Sequence, residues 1–266
     1  MTLKTKDGLT LFTRSWDVES PKAAICLVHG LGEHSGRYEH VAEFFNENGI
    51  SFAAFDLRGH GRSEGKRGHA EYEKLMDDIE LFLQSCDYDC PKILYGHSMG
   101  GNLALNFLLR RDADVTGGII SAPFLALPKE LPKILYFVLK ILNAIGPSIQ
   151  LSNGINPELI SRDKEVVRKY VSDPLVHDKI SPRFILQSLE AGKWALENAE
   201  KLKKPILLIH GTADQITSYE ASREFARRGG KLCKFISYEG FYHEPHNEPE
   251  KDRVLADMLG WIEEVI

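Results

Sequence analysis

The sequence predicts an α/β protein: a doubly wound, mostly parallel sheet interrupted by one inserted block of helices. Three observations carry that prediction. Short apolar runs rich in β-branched residues recur along the chain, segments of helical period separate most of them, and the alternation lapses between residues 123 and 202 before resuming.

The runs occupy residues 24–28, 51–55, 92–95, 117–120, 205–209 and 234–238. These read as buried parallel strands, covered on both faces. Helical periodicity places helices over 38–47, 72–84, 102–110, 219–228 and 252–265. Ahead of the first run, the Asp7-Gly8 pair marks a turn and with it an antiparallel hairpin. Residues 123–202 show helical patterning and Pro or Gly punctuation but no convincing strand, so they are expected to form a helical cap inserted into a core of residues 1–122 and 203–266. The first cap helix, over 131–145, gathers Ile134, Leu135, Phe137, Val138, Ile141, Leu142 and Ile145 on one broad face, with Lys133 and Lys140 on another. That face either packs on the core or serves as a lid, lining an apolar pocket or touching lipid.

Composition narrows the function. Of 266 residues, 43% are hydrophobic and 27% charged, the balance of a chain able to bury one large core. A net charge of −5, without a basic run interleaved with aromatics, argues against a nucleic-acid partner. Residues 1–8 lack the apolar stretch of a secretory signal and no window is long and apolar enough to span a bilayer, so a cytoplasmic protein is expected, peripheral to membrane if the cap touches lipid. Cys26 and Cys233 fall within apparent strands, where a thiol behaves as a small apolar side chain. Cys86 and Cys90 have no second Cys or His pair at zinc spacing, so free thiols and no metal are expected.

Chemistry concentrates in Gly96-His97-Ser98-Met99-Gly100-Gly101, which lies between a strand and a helix. Gly-x-Ser-x-Gly in that context is a nucleophile elbow: glycines at both ends let strand and helix approach, and the serine projects from the turn. A serine hydroxyl needs an imidazole to take its proton. His243, on the loop after the last predicted strand, can reach the same sheet edge; its rival His246 lies three residues farther on and is assigned a surface or structural role. The imidazole needs a carboxylate in turn. Asp214 follows the strand over 205–209 and completes the chain order Ser, Asp, His, whereas Asp173 and Asp178, inside the cap, read as turn or helix-cap residues. The oxyanion of a tetrahedral intermediate requires two N–H donors, assigned to Met99 and to Leu31 in His29-Gly30-Leu31-Gly32. His29 is read as bracing that loop, and the segment from Asp56 to Ser63 as structural support. These parts supply nucleophile, proton transfer and charge stabilisation, so no cofactor is expected.

The motifs resemble those of the monoacylglycerol lipase and lysophospholipase branch of the α/β-hydrolase fold, the serine aminopeptidase-like hydrolases. The resemblance runs over nearly the whole chain, through the stretch from His29 to Tyr38, the loop from Asp56 to Gly65, the Ser98 elbow with its double glycine, Ser172-Asp173-Pro174-Leu175 in the cap, and the segments around Asp214 and His243. It implies Ser98, Asp214 and His243 as the catalytic set, the Leu31 and Met99 amides as the oxyanion hole, and hydrolysis of monoacylglycerols or related small lipid esters beneath a mobile cap. A lysophospholipase, a short-chain carboxylesterase, an aminopeptidase and a non-catalytic binding protein are the alternatives. Where animal members carry a thiol three residues after the acid, this chain has Thr217.

Overall fold

The apolar runs pair into a single eight-stranded sheet. The structure, a computed structural model, describes residues 1–112 and 114–266. Its strands are β1 (Thr2–Lys4), β2 (Thr10–Trp16), β3 (Ala23–Val28), β4 (Ile50–Phe55), β5 (Lys92–His97), β6 (Gly117–Ser121), β7 (Leu151–Ser152), β8 (Lys179–Ile180), β9 (Ile206–Gly211) and β10 (Cys233–Tyr238). The helices are α1 (Glu39–Glu47), α2 (Tyr72–Ser85), α3 (Met99–Arg110), α4 (Lys133–Ile145), α5 (Lys164–Ser172), α6 (Pro182–Glu197), α7 (Tyr219–Gly229) and α8 (Lys251–Val265). The large sheet runs in the order β1-β2-β4-β3-β5-β6-β9-β10. From β4 to β10 every pairing is parallel, as the six runs predict. The hairpin forms where Asp7-Gly8 placed it: β1 and β2 are antiparallel, and Gly8, at φ +87°, donates its amide to the Thr5 carbonyl at 3.0 Å.

Successive side chains on a strand point to opposite faces, and on β3, β4, β6 and β9 every residue is buried, so both faces are dry. Cys26, Val28 and Leu94 join one buried cluster with Leu75 and Phe82 of α2, Leu103 and Leu105 of α3, Phe184 of α6 and Phe225 of α7. Ile25, Leu27, Ile93 and Tyr95 face the other way, against Val41 and Phe45 of α1 and Met258 and Trp261 of α8. The result is three layers with the sheet in the middle.

The chain crosses from β4 to β5 on the far side of β3, so the strand order reverses between β3 and β5. The crevice beyond the carboxyl ends of two such strands is where open α/β sheets place their ligands. Val28 is in register with Gly96, which sets the loop carrying Leu31 beside the turn carrying Ser98.

None of residues 123–202 enters the large sheet. They do contain strand: β7 and β8 form a two-residue antiparallel ladder, Leu151 opposite Ile180, which the sequence analysis did not anticipate. Segments this short carry no periodicity to read. The final helix of this stretch, α6, is built into the main core, with Phe184, Ala191 and Ala195 buried and Gly192 set so close to Leu125 that a Cβ would strike its carbonyl. The apolar face of α4 lies at the opposite extreme. Only Leu139 of α4 is buried, while Ile134, Phe137 and Ile145 are 76%, 61% and 75% exposed and Leu135, Val138 and Ile141 are exposed as well. Of the two roles open to this helix, packing on the core is not the one it adopts here. All four cysteines are free, with Cys26, Cys86 and Cys233 buried.

Candidate active site

Ser98 occupies the turn between β5 and α3 at φ +54° and ψ −115°, a conformation that a non-glycine residue adopts only when its surroundings enforce it. They do so through the backbone. Its amide donates to the Ser121 carbonyl at 2.9 Å, and its carbonyl accepts from Phe124 at 2.9 Å and Asn102 at 3.0 Å. The flanking glycines are sterically required: a Cβ on Gly100 would strike the carbonyls of Val28 and His29, and one on Gly96 would strike that of Gly100.

The structure brings Ser98, His243 and Asp214 into one hydrogen-bonded line. His243 Nε2 lies 2.9 Å from Ser98 Oγ, and His243 Nδ1 lies 2.8 Å from Asp214 Oδ2. The order of strands explains the convergence: β9 and β10 are parallel neighbours, so the loops after them leave the same sheet edge as the Ser98 turn. Asp214 is thoroughly engaged. Its Oδ1 accepts the amides of Ile216 (2.7 Å) and Thr217 (3.1 Å), while its Oδ2 accepts from His243, His210 Nε2 (2.9 Å) and Thr217 Oγ1 (2.9 Å). Burial opposes its ionised form, yet the charge of His243 and the hydrogen bonds from His210 and His243 hold the carboxyl well below the usual range. Burial likewise disfavours a charged His243, and the Asp214 carboxylate outweighs it, raising the imidazole above its ordinary value.

His210 is a member of this constellation that the sequence analysis missed. Four residues ahead of Asp214 and fully buried, it spans Ser222 Oγ (2.8 Å) and Asp214. The signal was present in His210-Gly211-Thr212-Ala213-Asp214, but the strand around His210 masks it as core. Thr217, at the position where the resemblance leads one to look for a thiol, sets its hydroxyl between two acceptors, Asp214 Oδ2 at 2.9 Å and the Ala122 carbonyl at 3.1 Å, which share its one proton.

The rival base stands elsewhere. His246 is buried, stacks on Tyr38 with ring centroids 4.8 Å apart, and lies with Nδ1 3.3 Å from the Tyr95 hydroxyl; it touches neither Ser98 nor Asp214. Its role is structural and internal rather than at the surface. Asp178 is an exposed residue paired with Lys179, whereas Asp173 caps its own turn through the Leu175 amide (2.8 Å) and reaches His34 (2.8 Å). His29 braces the loop as expected, with Nδ1 2.8 Å from the Gly30 carbonyl and Nε2 accepting the Leu57 amide at 2.9 Å. The Asp56 to Ser63 loop is likewise structural: Asp56 accepts from the Ser35 amide and hydroxyl and the Arg62 amide, and Arg58 pairs with Asp78 and Asp7.

Leu31 and Met99 flank Ser98, and among the described residues neither amide is taken by a protein acceptor. The Leu31 loop is pinned from the core side by Glu33, which accepts the Gly30 amide (2.6 Å), the Tyr38 hydroxyl (2.8 Å) and Arg37 (2.7 Å). Arg37 continues in a paired contact with both oxygens of Glu244, next to His243. The cavity over Ser98 holds about 20 Å³ and is bounded by Leu31, Ile155, Ile160, Tyr170 and Ile216 together with Glu33, His97, His243 and Glu244. That is room for about one water molecule and not for an acyl chain. Among the described residues no group of three or more His, Cys, Asp or Glu side chains is arranged to hold a metal ion, and no helix is long and apolar enough to cross a membrane.

Fold and site together are those of an α/β-hydrolase with a serine nucleophile elbow. The chain belongs to the family described as serine aminopeptidase, S33, which matches residues 19–250. A monoacylglycerol lipase of Mycolicibacterium smegmatis is 34% identical over 96% of this chain and 93% of its own. An uncharacterized abhydrolase domain-containing protein of Dictyostelium discoideum is 40% identical over 99% of this chain, which spans 29% of that longer protein. The crystal structure of a monoacylglycerol lipase from Paleococcus ferrophilus superposes with a TM-score of 0.89 at 35% identity, covering 96% of this chain and 99% of the other.

Proposed function

We propose that this chain hydrolyses the carboxylic esters of small lipids, monoacylglycerols foremost, through an acyl-enzyme on Ser98. The observation that carries the proposal is the continuous line from Ser98 Oγ through His243 to Asp214. Ser98 attacks the ester carbonyl while His243 Nε2 takes its proton; Asp214 fixes the Nδ1–H tautomer and stabilises the imidazolium. The oxyanion is received by the amides of Leu31 and Met99. His243 then returns the proton to the departing glycerol, and water repeats the sequence on the acyl-enzyme. The raised affinity of His243 for a proton suits a base that must also serve as acid.

Two features support a lipid ester. Leu31, Ile155, Ile160, Tyr170 and Ile216 supply the apolar part of the lining over Ser98, and relatives named as monoacylglycerol lipases match over nearly their full length. Residues 123–202 act as a cap on a catalytic core of 1–122 and 203–266. Because the cavity is too small for an acyl chain, the cap must move for substrate to enter. The bare face of α4 makes a transient contact with a membrane or micelle, which keeps the protein peripheral while substrate is drawn from the lipid phase.

The test is a substrate series for the purified protein: monoacylglycerols of graded chain length beside diacylglycerol, lysophospholipid, short p-nitrophenyl esters and an aminoacyl amide. The highest kcat/KM is expected on monoacylglycerols. A higher value on lysophospholipid, or turnover of the amide alone, overturns the assignment.

A further inference from the structure

The Ser172-Asp173-Pro174-Leu175 segment has no place in the mechanism above, yet it sits on the loop that supplies one oxyanion donor. Leu31 lies between two glycines that are held from opposite sides. On the core side Glu33 takes the Gly30 amide. On the cap side the Gly32 carbonyl accepts the His177 amide at 2.9 Å, and Gly32, at φ +79°, is so close that a Cβ would strike the His177 carbonyl. Two residues on, His34 Nδ1 accepts the Gly36 amide at 3.1 Å, which leaves Nε2–H as the donor to Asp173 Oδ2 at 2.8 Å. That ring is buried, and Asp173 is half-buried beside it. Asp173 is tied to its own turn through Leu175, and His177 is anchored a second time by its Nε2–H to the Gly59 carbonyl at 3.2 Å.

From this geometry we infer that Asp173 and His34 are positioning residues for the reaction, holding the turn at residues 173–177 on the oxyanion loop so that the Leu31 amide keeps its place. The inference rests on the esterase assignment above. It also divides the cap into two parts. The 173–177 turn is a fixed strap that belongs functionally to the active site, and entry of substrate falls to cap residues outside it. An oxyanion donor acts only on the reacting carbonyl as its charge develops, so displacement of Leu31 lowers kcat while leaving ground-state binding almost intact.

The experiment uses the full chain and a soluble short ester, p-nitrophenyl butyrate, in Asp173→Ala, His34→Ala, the double variant, His34→Gln and the control Asp163→Ala. Asp163 caps the start of α5 through the Glu165 amide and, among the described residues, makes no hydrogen bond to the loop. Thermal unfolding is recorded for each. Asp173→Ala and His34→Ala are expected to lose about tenfold in kcat with KM within about twofold. The double variant should be no worse than either single one. His34→Gln, whose amide N–H can reach Asp173, should recover most of the loss, and Asp163→Ala should lower stability without the kcat effect. Wild-type kcat in Asp173→Ala, equal losses in kcat for Asp163→Ala, or additive losses in the double variant would overturn the inference while leaving the esterase assignment standing. Failure of the wild-type protein to turn over any ester in the series would overturn both.

Discussion

Replacing Asp214 by Asn tests the proton-transfer chain at its most constrained point. An asparagine has one oxygen and one NH2 group where the aspartate has two acceptors. The backbone amides of Ile216 and Thr217 both donate to Oδ1 and cannot reverse, so the oxygen must stay on their side. The NH2 group then faces His243 Nδ1, which is forced to accept, and the proton moves to Nε2, pointing at Ser98. In that tautomer the imidazole cannot take the serine proton. The lost carboxylate adds an electrostatic cost: with charge centres about 4 Å apart and an effective dielectric near 20, its attraction for the imidazolium is about 4 kcal/mol. That corresponds to roughly a thousandfold in rate, before the tautomer cost is counted.

The sign of the pH effect follows as well. The base must be neutral, so kcat/KM falls as pH drops through the His243 pKa. In the wild-type protein that midpoint lies above the ordinary value of about 6.5 because of Asp214. In the variant burial is opposed only by the more weakly acting carboxylates of Glu244 and Glu33, so the midpoint of any residual activity moves down from its wild-type position. His210 and Thr217, which also donate to Oδ2, must reverse or lose those bonds when an NH2 group takes its place, so stability drops by about 1–3 kcal/mol. The assay is the pH profile of kcat/KM on p-nitrophenyl butyrate with thermal unfolding alongside. Activity within tenfold of wild type, with an unmoved midpoint, would refute the reasoning.

Other outcomes follow from the same geometry. His243→Ala should abolish labelling by a fluorophosphonate, whereas His246→Ala should label normally but unfold at lower temperature, because it vacates a buried site stacked on Tyr38; the reverse pattern would make His246 the base. Phe137→Asp with Ile141→Asp on α4 should cut vesicle binding and monoacylglycerol turnover at least tenfold, since burying such side chains gains up to about 1.5–3 kcal/mol each, and should spare p-nitrophenyl butyrate. Unchanged vesicle binding would remove α4 from the lipid contact. Gly100→Ala should abolish activity and lower the unfolding temperature, because no rearrangement of a side chain relieves a collision with the Val28 and His29 carbonyls. An active, stable variant would show that the elbow is looser than described.

The parts of this molecule that were readable from sequence are those encoded within one element and its following loop. Buried parallel strands are short apolar runs, and Ser98, Asp214 and His243 each follow such a run, so the sheet and the line of three residues could be assembled in order. What escaped depends on long separations or on packing. Arg37 meets Glu244 across 207 residues and His34 meets Asp173 across 139, and neither pairing leaves a local pattern. His210 looked like strand interior because it is one, and only the direction of its ring makes it a partner of Asp214. The amphipathic pattern of α4 defined its apolar face but not whether that face meets core or solvent; its neighbours decide that.

The central claim is that ester cleavage passes through an acyl group on Ser98. The most direct measurement is rapid acid quench of the protein turning over a monoacylglycerol, followed by intact mass and peptide mapping. The expected result is an adduct of the mass of the acyl chain, confined to the peptide containing Ser98 and absent from Ser98→Ala, which should remain folded and inactive. An adduct on another residue, or substantial hydrolysis by Ser98→Ala, would contradict the account.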